Sequence, residues 1–227
     1  MAGMASEGFE RKDSRNGGLV SIEGIDGSGK TSVVERLAEE NEGIETTAEP
    51  STLWTGGQVR RALATSTEDV HDIVTFFLFM ADRKQHIEEE VLPWMHEGKV
   101  VVSDRYVDST RAYQPEMLKE HIEWADAWID MVMEPWTLEP DLTIFLDVSV
   151  DTAMDRLSGD ETFEERETLE AVRDRYWDII EDATMRQSGR HIAVVDGEAG
   201  HADVMAQVRD VLREKRFIEG SEKGSGR

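Results

Sequence analysis

Short apolar-rich runs punctuate this chain: LVSIEG at 19–24, IETTAE at 44–49, KVVVSD at 99–104, LTIFLD at 142–147 and HIAVVDG at 191–197. Each is brief, rich in Val, Ile or Leu, and bounded by Gly, Pro or charged residues, which predicts a strand. Elsewhere apolar positions recur every three or four residues, predicting helices over 31–41, 58–64, roughly 69–97, about 115–134, 150–157, 163–187 and 201–215. Val33, Val34 and Leu37 form the inner side of the first helix, and Phe76 and Phe77 are expected in the core. Trp124, Trp128 and Met131 recur at helical spacing and predict core, or the buried face of a dimer helix. The stretch 103–114 reads as a strand-to-helix loop. Strands alternating with helices imply right-handed parallel crossovers, so the expected class is α/β with a doubly wound sheet. A single domain is expected over 18–217, between loose polar tails at 1–17 and 218–227.

Composition narrows the setting. The 227 residues suffice for one well-buried domain. They carry 49 acidic against 25 basic side chains, a formal charge of −24. Disorder would explain that charge, but 39% hydrophobic residues in periodic runs argue for a folded chain. Without a basic patch, no nucleic-acid partner is expected. An acidic surface that stays hydrated in concentrated salt, where the Debye length falls to about 3 Å at 1 M, predicts a haloadapted protein. Cysteine is absent, which excludes disulfides and fits a reducing compartment. No run reaches the roughly eighteen apolar residues of a membrane span, and the start shows no signal peptide, so the expected location is cytoplasmic without a membrane partner. The six histidines lack metal-ligand spacing, and His86 is expected at the surface or capping a helix.

The chemistry begins between the first strand and the first helix. Gly24-Ile25-Asp26-Gly27-Ser28-Gly29-Lys30-Thr31 fits the pattern GxxxxGK[ST] in full, in the strand–loop–helix setting the pattern needs. Gly24, Gly27 and Gly29 let the chain curl with its amides inward. With Ser28, Ser32 and the helix N-terminus they cradle phosphate oxygens. Lys30 neutralises phosphate charge, and Thr31 offers a hydroxyl to Mg²⁺. The expected ligand is a nucleoside triphosphate such as ATP. Further on, Asp104 and Arg105 stand at the carboxyl end of a strand, where open α/β sheets bind ligands. Asp104 suits a metal-bound water or a basic partner, Arg105 a phosphate, and Tyr113 and Gln114 a base. Arg83, after an apolar helical run, suits a phosphate clamp at a cleft edge.

EGIDGSGKTS at 23–32, AEP at 48–50, LFMADRKQH at 78–86, SDRY with Ser109 and AYQ at 112–114, PDLTIFLD and VRDRY at 172–176 together resemble the thymidylate kinase family over about 19–215. That resemblance implies a P-loop NTPase fold with a five-stranded parallel sheet and a short helical lid near 157–166. It implies transfer of the γ-phosphoryl group of ATP to dTMP with Mg²⁺, usually in a homodimer. It assigns Asp26, Lys30, Arg105 and Arg166 to catalysis and Thr31 and Asp104 to the metal. Phe79 would stack on thymine, Arg83 would contact the base (displacing the clamp reading), and Arg105 would grip the acceptor phosphate. Ser109 and Tyr113 would read base and deoxyribose, Gln114 would lie near the base, and Glu49 beside the acceptor.

Three positions depart from the family pattern. Ala48 stands where relatives commonly carry Arg, and Pro115 where many carry Gly. The transition-state arginine, worth roughly 10³–10⁵ in rate, is missing from the loop, where Gly27 stands. The lid stretch LSGDETFEER is acidic, and Arg166 is its basic residue, with Arg156 just before it. An intrahelical pair with Glu170 explains Arg166 without catalysis. Two alternatives stay open: a kinase for another deoxynucleotide such as dUMP, and a catalytically weakened nucleotide-binding regulator.

Overall fold

The computed structural model describes residues 17–64, 71–157, 163–185 and 190–219. The expected tails fall almost wholly outside these, as does 158–162, the middle of the expected lid. Five strands, β1 (Gly18–Glu23), β2 (Ile44–Ala48), β3 (Val100–Asp104), β4 (Leu142–Asp147) and β5 (Ile192–Asp196), pair in parallel in the order β2-β3-β1-β4-β5. The helices are α1 (Lys30–Glu40), α2 (Trp54–Ala64), α3 (Asp72–His86), α4 (Leu92–His96), α5 (Val107–Leu118), α6 (Ala125–Met133), α7 (Val150–Arg156), α8 (Phe163–Met185) and α9 (His201–Glu214). A π-helical turn, Ile87–Val91, joins α3 to α4.

Side-chain alternation along the central strand sorts the core into two layers. Val20 and Ile22 face Val33, Leu37, Val208 and Leu212 of α1 and α9. Leu19 and Val101 face the opposite layer, with Phe76 and Met80 of α3 and Ile129 of α6. Strand β1 is buried along its whole length because it has a neighbour on each edge and helices on both faces. The chain moves outward from β1 in both directions, toward β3–β2 and toward β4–β5. Its carboxyl end is therefore the switch point where open α/β sheets form their ligand crevice.

The structure corrects several expectations. Helix α5 starts at Val107, not near 115, so Ser109, Tyr113 and Gln114 share one helix, and the chain leaves helix again before α6. The apolar period failed there because Asp108, Thr110 and Gln114 occupy buried positions. Asp108 and Thr110 have partners far away in sequence: Thr143 for Asp108 and Arg83 for Thr110. Pro115 sits inside α5; it removes one backbone donor without ending the helix. Phe77 is 48% exposed, and Trp124 and Met131 are 73% and 70% exposed, so these three do not fill this chain's core. His86 is fully buried rather than at the surface.

Candidate functional site

The loop between β1 and α1 is shaped by backbone that only glycine accepts easily. At Gly24, with φ +151°, a Cβ would lie 2.6 Å from Ser28 Oγ and 2.8 Å from the Leu146 carbonyl oxygen. At Gly27, with φ +78°, a Cβ would lie 2.4 Å from the Ala153 carbonyl oxygen of α7. That position therefore has no room for a side chain, and the missing loop arginine is excluded by packing. Gly29 caps α1 without a side-chain hydrogen bond, so the first amides of α1 remain for an anion. Lys30 is buried, and its Nζ donates to the Ile25 carbonyl (2.7 Å) and to Ser28 Oγ (3.2 Å). Burial, then the charge of Arg105, pulls the Lys30 ammonium down to about 7. Thr31 and Ser32 are exposed. The Thr31 hydroxyl donates to Asp104 Oδ2 at 2.6 Å, joining the start of α1 to the end of β3.

Beside this loop lies a cavity of about 280 Å³. Glu49, Phe79, Arg83, Arg105, Ser109, Tyr113 and Gln114 all line it, as does Asp26 from the loop itself. Arg105 adopts φ +69°, and its N–H donates to the Ile22 carbonyl. This turn aims the guanidinium back over β1. Nη2 donates to Asp26 Oδ1 (2.5 Å), Nη1 to Ser109 Oγ (3.0 Å), and Cζ lies 4.9 Å from the centre of the Tyr113 ring. Tyr113 Oη accepts from the Asp26 amide (3.0 Å) and donates to Asp26 Oδ2 (3.1 Å). Burial works against the Asp26 charge, but Arg105, Lys30 and the Tyr113 hydrogen bond outweigh it and hold the carboxyl below its usual range. Burial also opposes the Arg105 charge; Tyr113, Tyr176 and Asp26 outweigh it, so the guanidinium stays protonated.

The far wall is a buried ionic cluster. Arg83, 1% exposed, donates through Nε and Nη2 to Glu49 Oε2 at 2.9 and 2.5 Å. Its Nη2 also reaches the Tyr106 carbonyl (3.1 Å) and Thr110 Oγ1 (2.8 Å). His86 Nδ1 lies 3.2 Å from Glu49 Oε1, and its Nε2 lies 2.8 Å from Thr47 Oγ1. Burial raises the Glu49 carboxyl, yet Arg83 and His86 more than reverse this and keep it ionised. Asp82 turns away from Arg83 and accepts from the Ser51 amide and hydroxyl. Gln114 is 3% exposed, and its Oε1 has no hydrogen-bond partner among the described residues.

Arg166 is not part of this assembly. Its Nη1 lies 2.6 Å from Asp151 of α7 and 4.0 Å from Glu170, so its main partner is on another helix. Two residues that the sequence reading gave no role join the site. Arg156 places Nη1 3.5 Å from the Gly27 carbonyl and Nη2 3.0 Å from that of Gly197, against the outer side of the loop. Its only signal was its place just before the acidic stretch. Glu23, fully buried below the loop, accepts from the Tyr106 amide, Ser109 and Tyr176. Burial and then the nearby Asp108 lift its carboxyl to about 7, and nothing in its local sequence signals this. No cluster of three or more His, Cys, Asp or Glu suited to a metal occurs among the described residues. The Thr31–Asp104 oxygen pair suits Mg²⁺, which takes one or two protein oxygens and completes its shell with water and phosphate.

Known proteins share this sequence pattern and fold. The thymidylate kinase family model matches residues 22–208. A probable thymidylate kinase of Halobacterium salinarum is 40% identical over 195 residues, spanning 86% of this chain and 96% of that one. Another, from Methanococcoides burtonii, is 38% identical over 170 residues, spanning 73% and 83%. The crystal structure of thymidylate kinase from Ehrlichia chaffeensis superposes with a TM-score of 0.66 at 26% identity, covering 86% of this chain and 98% of that one. A family model matching most of the chain and relatives at 38–40% identity along most of their own length establish that the chain belongs to the thymidylate kinase family.

Proposed function

We infer that this chain transfers the γ-phosphoryl group of ATP to dTMP, giving ADP and dTDP, with the donor on the glycine loop and the acceptor in the adjoining cavity. One observation carries the division of labour: Arg105 lines the acceptor cavity and bonds Asp26 of the phosphate loop at 2.5 Å, so the two sites meet at one contact. An acceptor phosphate held by Arg105 stands next to the phosphates held by Lys30 and the α1 amides. The acceptor oxygen attacks the γ-phosphorus as the bond to the ADP oxygen breaks, with no covalent enzyme intermediate. Positioning and fixed positive charge supply the rate. Thr31 and Asp104 would hold Mg²⁺, which when bound neutralises phosphate charge.

Base selection follows from the buried wall. The unpartnered Gln114 Oε1 is an acceptor suited to the N3–H of thymine or uracil, whereas cytosine presents an acceptor there. Phe79 supplies a ring face, and Glu49 fixes Arg83 at the base end. Arg156, already against the loop, is a better placed cation for the donor phosphates than Arg166, which Asp151 engages. The exposed apolar residues of α3 and α6, Val74, Phe77 and Met131, suit a homodimer interface. No helix among the described residues is long and apolar enough to cross a membrane. The charge of −24 suits a salt-rich cytoplasm.

The test is ADP release from Mg-ATP in molar KCl across a panel of nucleoside monophosphates. Turnover with dTMP well above dUMP, dCMP and dAMP is expected, and Arg105→Ala should raise the dTMP KM far more than the ATP KM. Preference for another acceptor, or equal losses for both nucleotides, contradicts the assignment.

A further inference from the structure

Glu23 is wholly buried and does not line the cavity, so it cannot touch either substrate. It is nevertheless the meeting point of three elements. Its Oε1 accepts from the Tyr106 amide (2.9 Å), the first backbone donor after the left-handed turn at Arg105. Its Oε2 accepts from Ser109 Oγ on α5 (2.6 Å) and from Tyr176 Oη on α8 (3.0 Å). The remaining contact decides the role. A serine hydroxyl has one hydrogen; Glu23 Oε2 at 2.6 Å is its shorter acceptor and Tyr176 Oη at 2.9 Å the other, and given to Glu23 it leaves the oxygen lone pairs for Arg105 Nη1 at 3.0 Å. Thus β1 sets the turn that carries Arg105 and also the acceptor atom that steers its guanidinium.

We propose that Glu23 is a positioning residue for the acceptor phosphate, acting through the Tyr106 amide and the Ser109 hydroxyl to fix Arg105 and tying that clamp to α8 through Tyr176. This rests on the reading of Arg105 as the acceptor-phosphate ligand. Ionised above about 7, Glu23 is an acceptor-only carboxylate, and that is what the position needs. Three donors converge on Glu23, and glutamine cannot serve them all. With its amide NH₂ toward Ser109, the hydroxyl must become an acceptor and turn its hydrogen elsewhere. With the NH₂ toward Tyr106, two N–H groups face each other. Either arrangement frees Arg105 to leave its place. The same geometry gives Tyr176, from the VRDRY stretch, a function: it makes the middle of α8 part of the acceptor clamp.

The experiment is steady-state kinetics of the full chain with Mg-ATP and dTMP in molar KCl, for Glu23→Gln, Ser109→Ala, Arg105→Ala and the two doubles on Arg105→Ala. Hydrogen bonds to charged groups are worth enough that Glu23→Gln should raise the dTMP KM by about tenfold or more. The ATP KM should stay within about twofold, a split that general loss of structure does not produce. Ser109→Ala should move the dTMP KM the same way, and it carries the test if Glu23→Gln fails to fold. On the Arg105→Ala background each second substitution should add less than about twofold, because the group being positioned is gone. Full additivity there, or equal changes in both KM values, overturns the proposal. A raised dTMP KM in Arg105→Ala with normal values in both Glu23→Gln and Ser109→Ala overturns the Glu23 role alone. An unchanged dTMP KM in Arg105→Ala overturns the acceptor reading and the Glu23 role with it.

Discussion

Replacing Arg83 with methionine strikes the most deeply buried ion pair of the site. Its side chain is 1% exposed and that of Glu49 5%. Removal of the guanidinium leaves the Glu49 carboxylate with only His86 beside it, and strips a donor from the Tyr106 carbonyl and from Thr110. Breaking a buried pair from one side costs about 3–5 kcal/mol, because the remaining charge is uncompensated. For a chain of this size each kcal/mol moves Tm by roughly 2–4 °C, so a loss of roughly 6–20 °C is expected. The double variant Glu49→Gln/Arg83→Met removes both charges and should recover most of that loss. The pH dependence has a definite sign. In the wild type Arg83 and His86 hold the Glu49 carboxyl below its unfolded value, so its stabilising contribution is present above about 4.5 and fades as pH falls through the depressed value. In Arg83→Met, burial dominates and raises that carboxyl, so the deficit should be largest near neutrality and shrink as pH approaches 5. Urea denaturation followed by tryptophan fluorescence at fixed KCl measures each variant. A loss under about 1 kcal/mol in Arg83→Met, or a double variant equal to the sum of the singles, would refute the reasoning.

Three other outcomes follow from particular contacts. Lys30 is held at about 7 in the free protein, and bound phosphates raise it again, so ATP binding at pH 8 should take up close to one proton. Calorimetry in buffers of different ionisation enthalpy reads this; persistence in Glu23→Gln separates it from the other group near 7, and buffer-independent heats refute it. Gly27→Arg, which restores the arginine of some relatives, should cost about 1–3 kcal/mol and impair turnover, since its Cβ would lie 2.4 Å from the Ala153 carbonyl; a stable, faster enzyme refutes this. The proposed homodimer through α3 predicts a wild-type solution mass of two chains that Phe77→Glu shifts to one while circular dichroism stays unchanged, because Phe77 is half exposed on α3; a monomeric wild type refutes the dimer, and a dimer that survives places the interface elsewhere.

The sequence by itself determined most of the ladder of elements and the place of the glycine loop within it. Strands β3 and β4 and helices α1, α7 and α9 lie within a residue or two of where the sequence put them: the strands are short apolar runs buried nearly end to end, and the helices carry their apolar residues at helical spacing. The glycine loop was equally legible, since its spacing is a local backbone requirement. The tertiary structure alone decided what depends on partners remote in sequence. Glu23, Glu49, Arg83 and His86 are charged or polar, and sequence places such residues at the surface. They are buried because each meets its counterpart from another element, across separations of up to 153 residues between Glu23 and Tyr176. The start of α5 was hidden for the same reason, as Asp108 and Thr110 break the apolar period and find their partners on β4 and α3. Gly27 shows the other side of this: the missing arginine was readable in the sequence, but only the packing of α7 against the loop shows that there is no room for it.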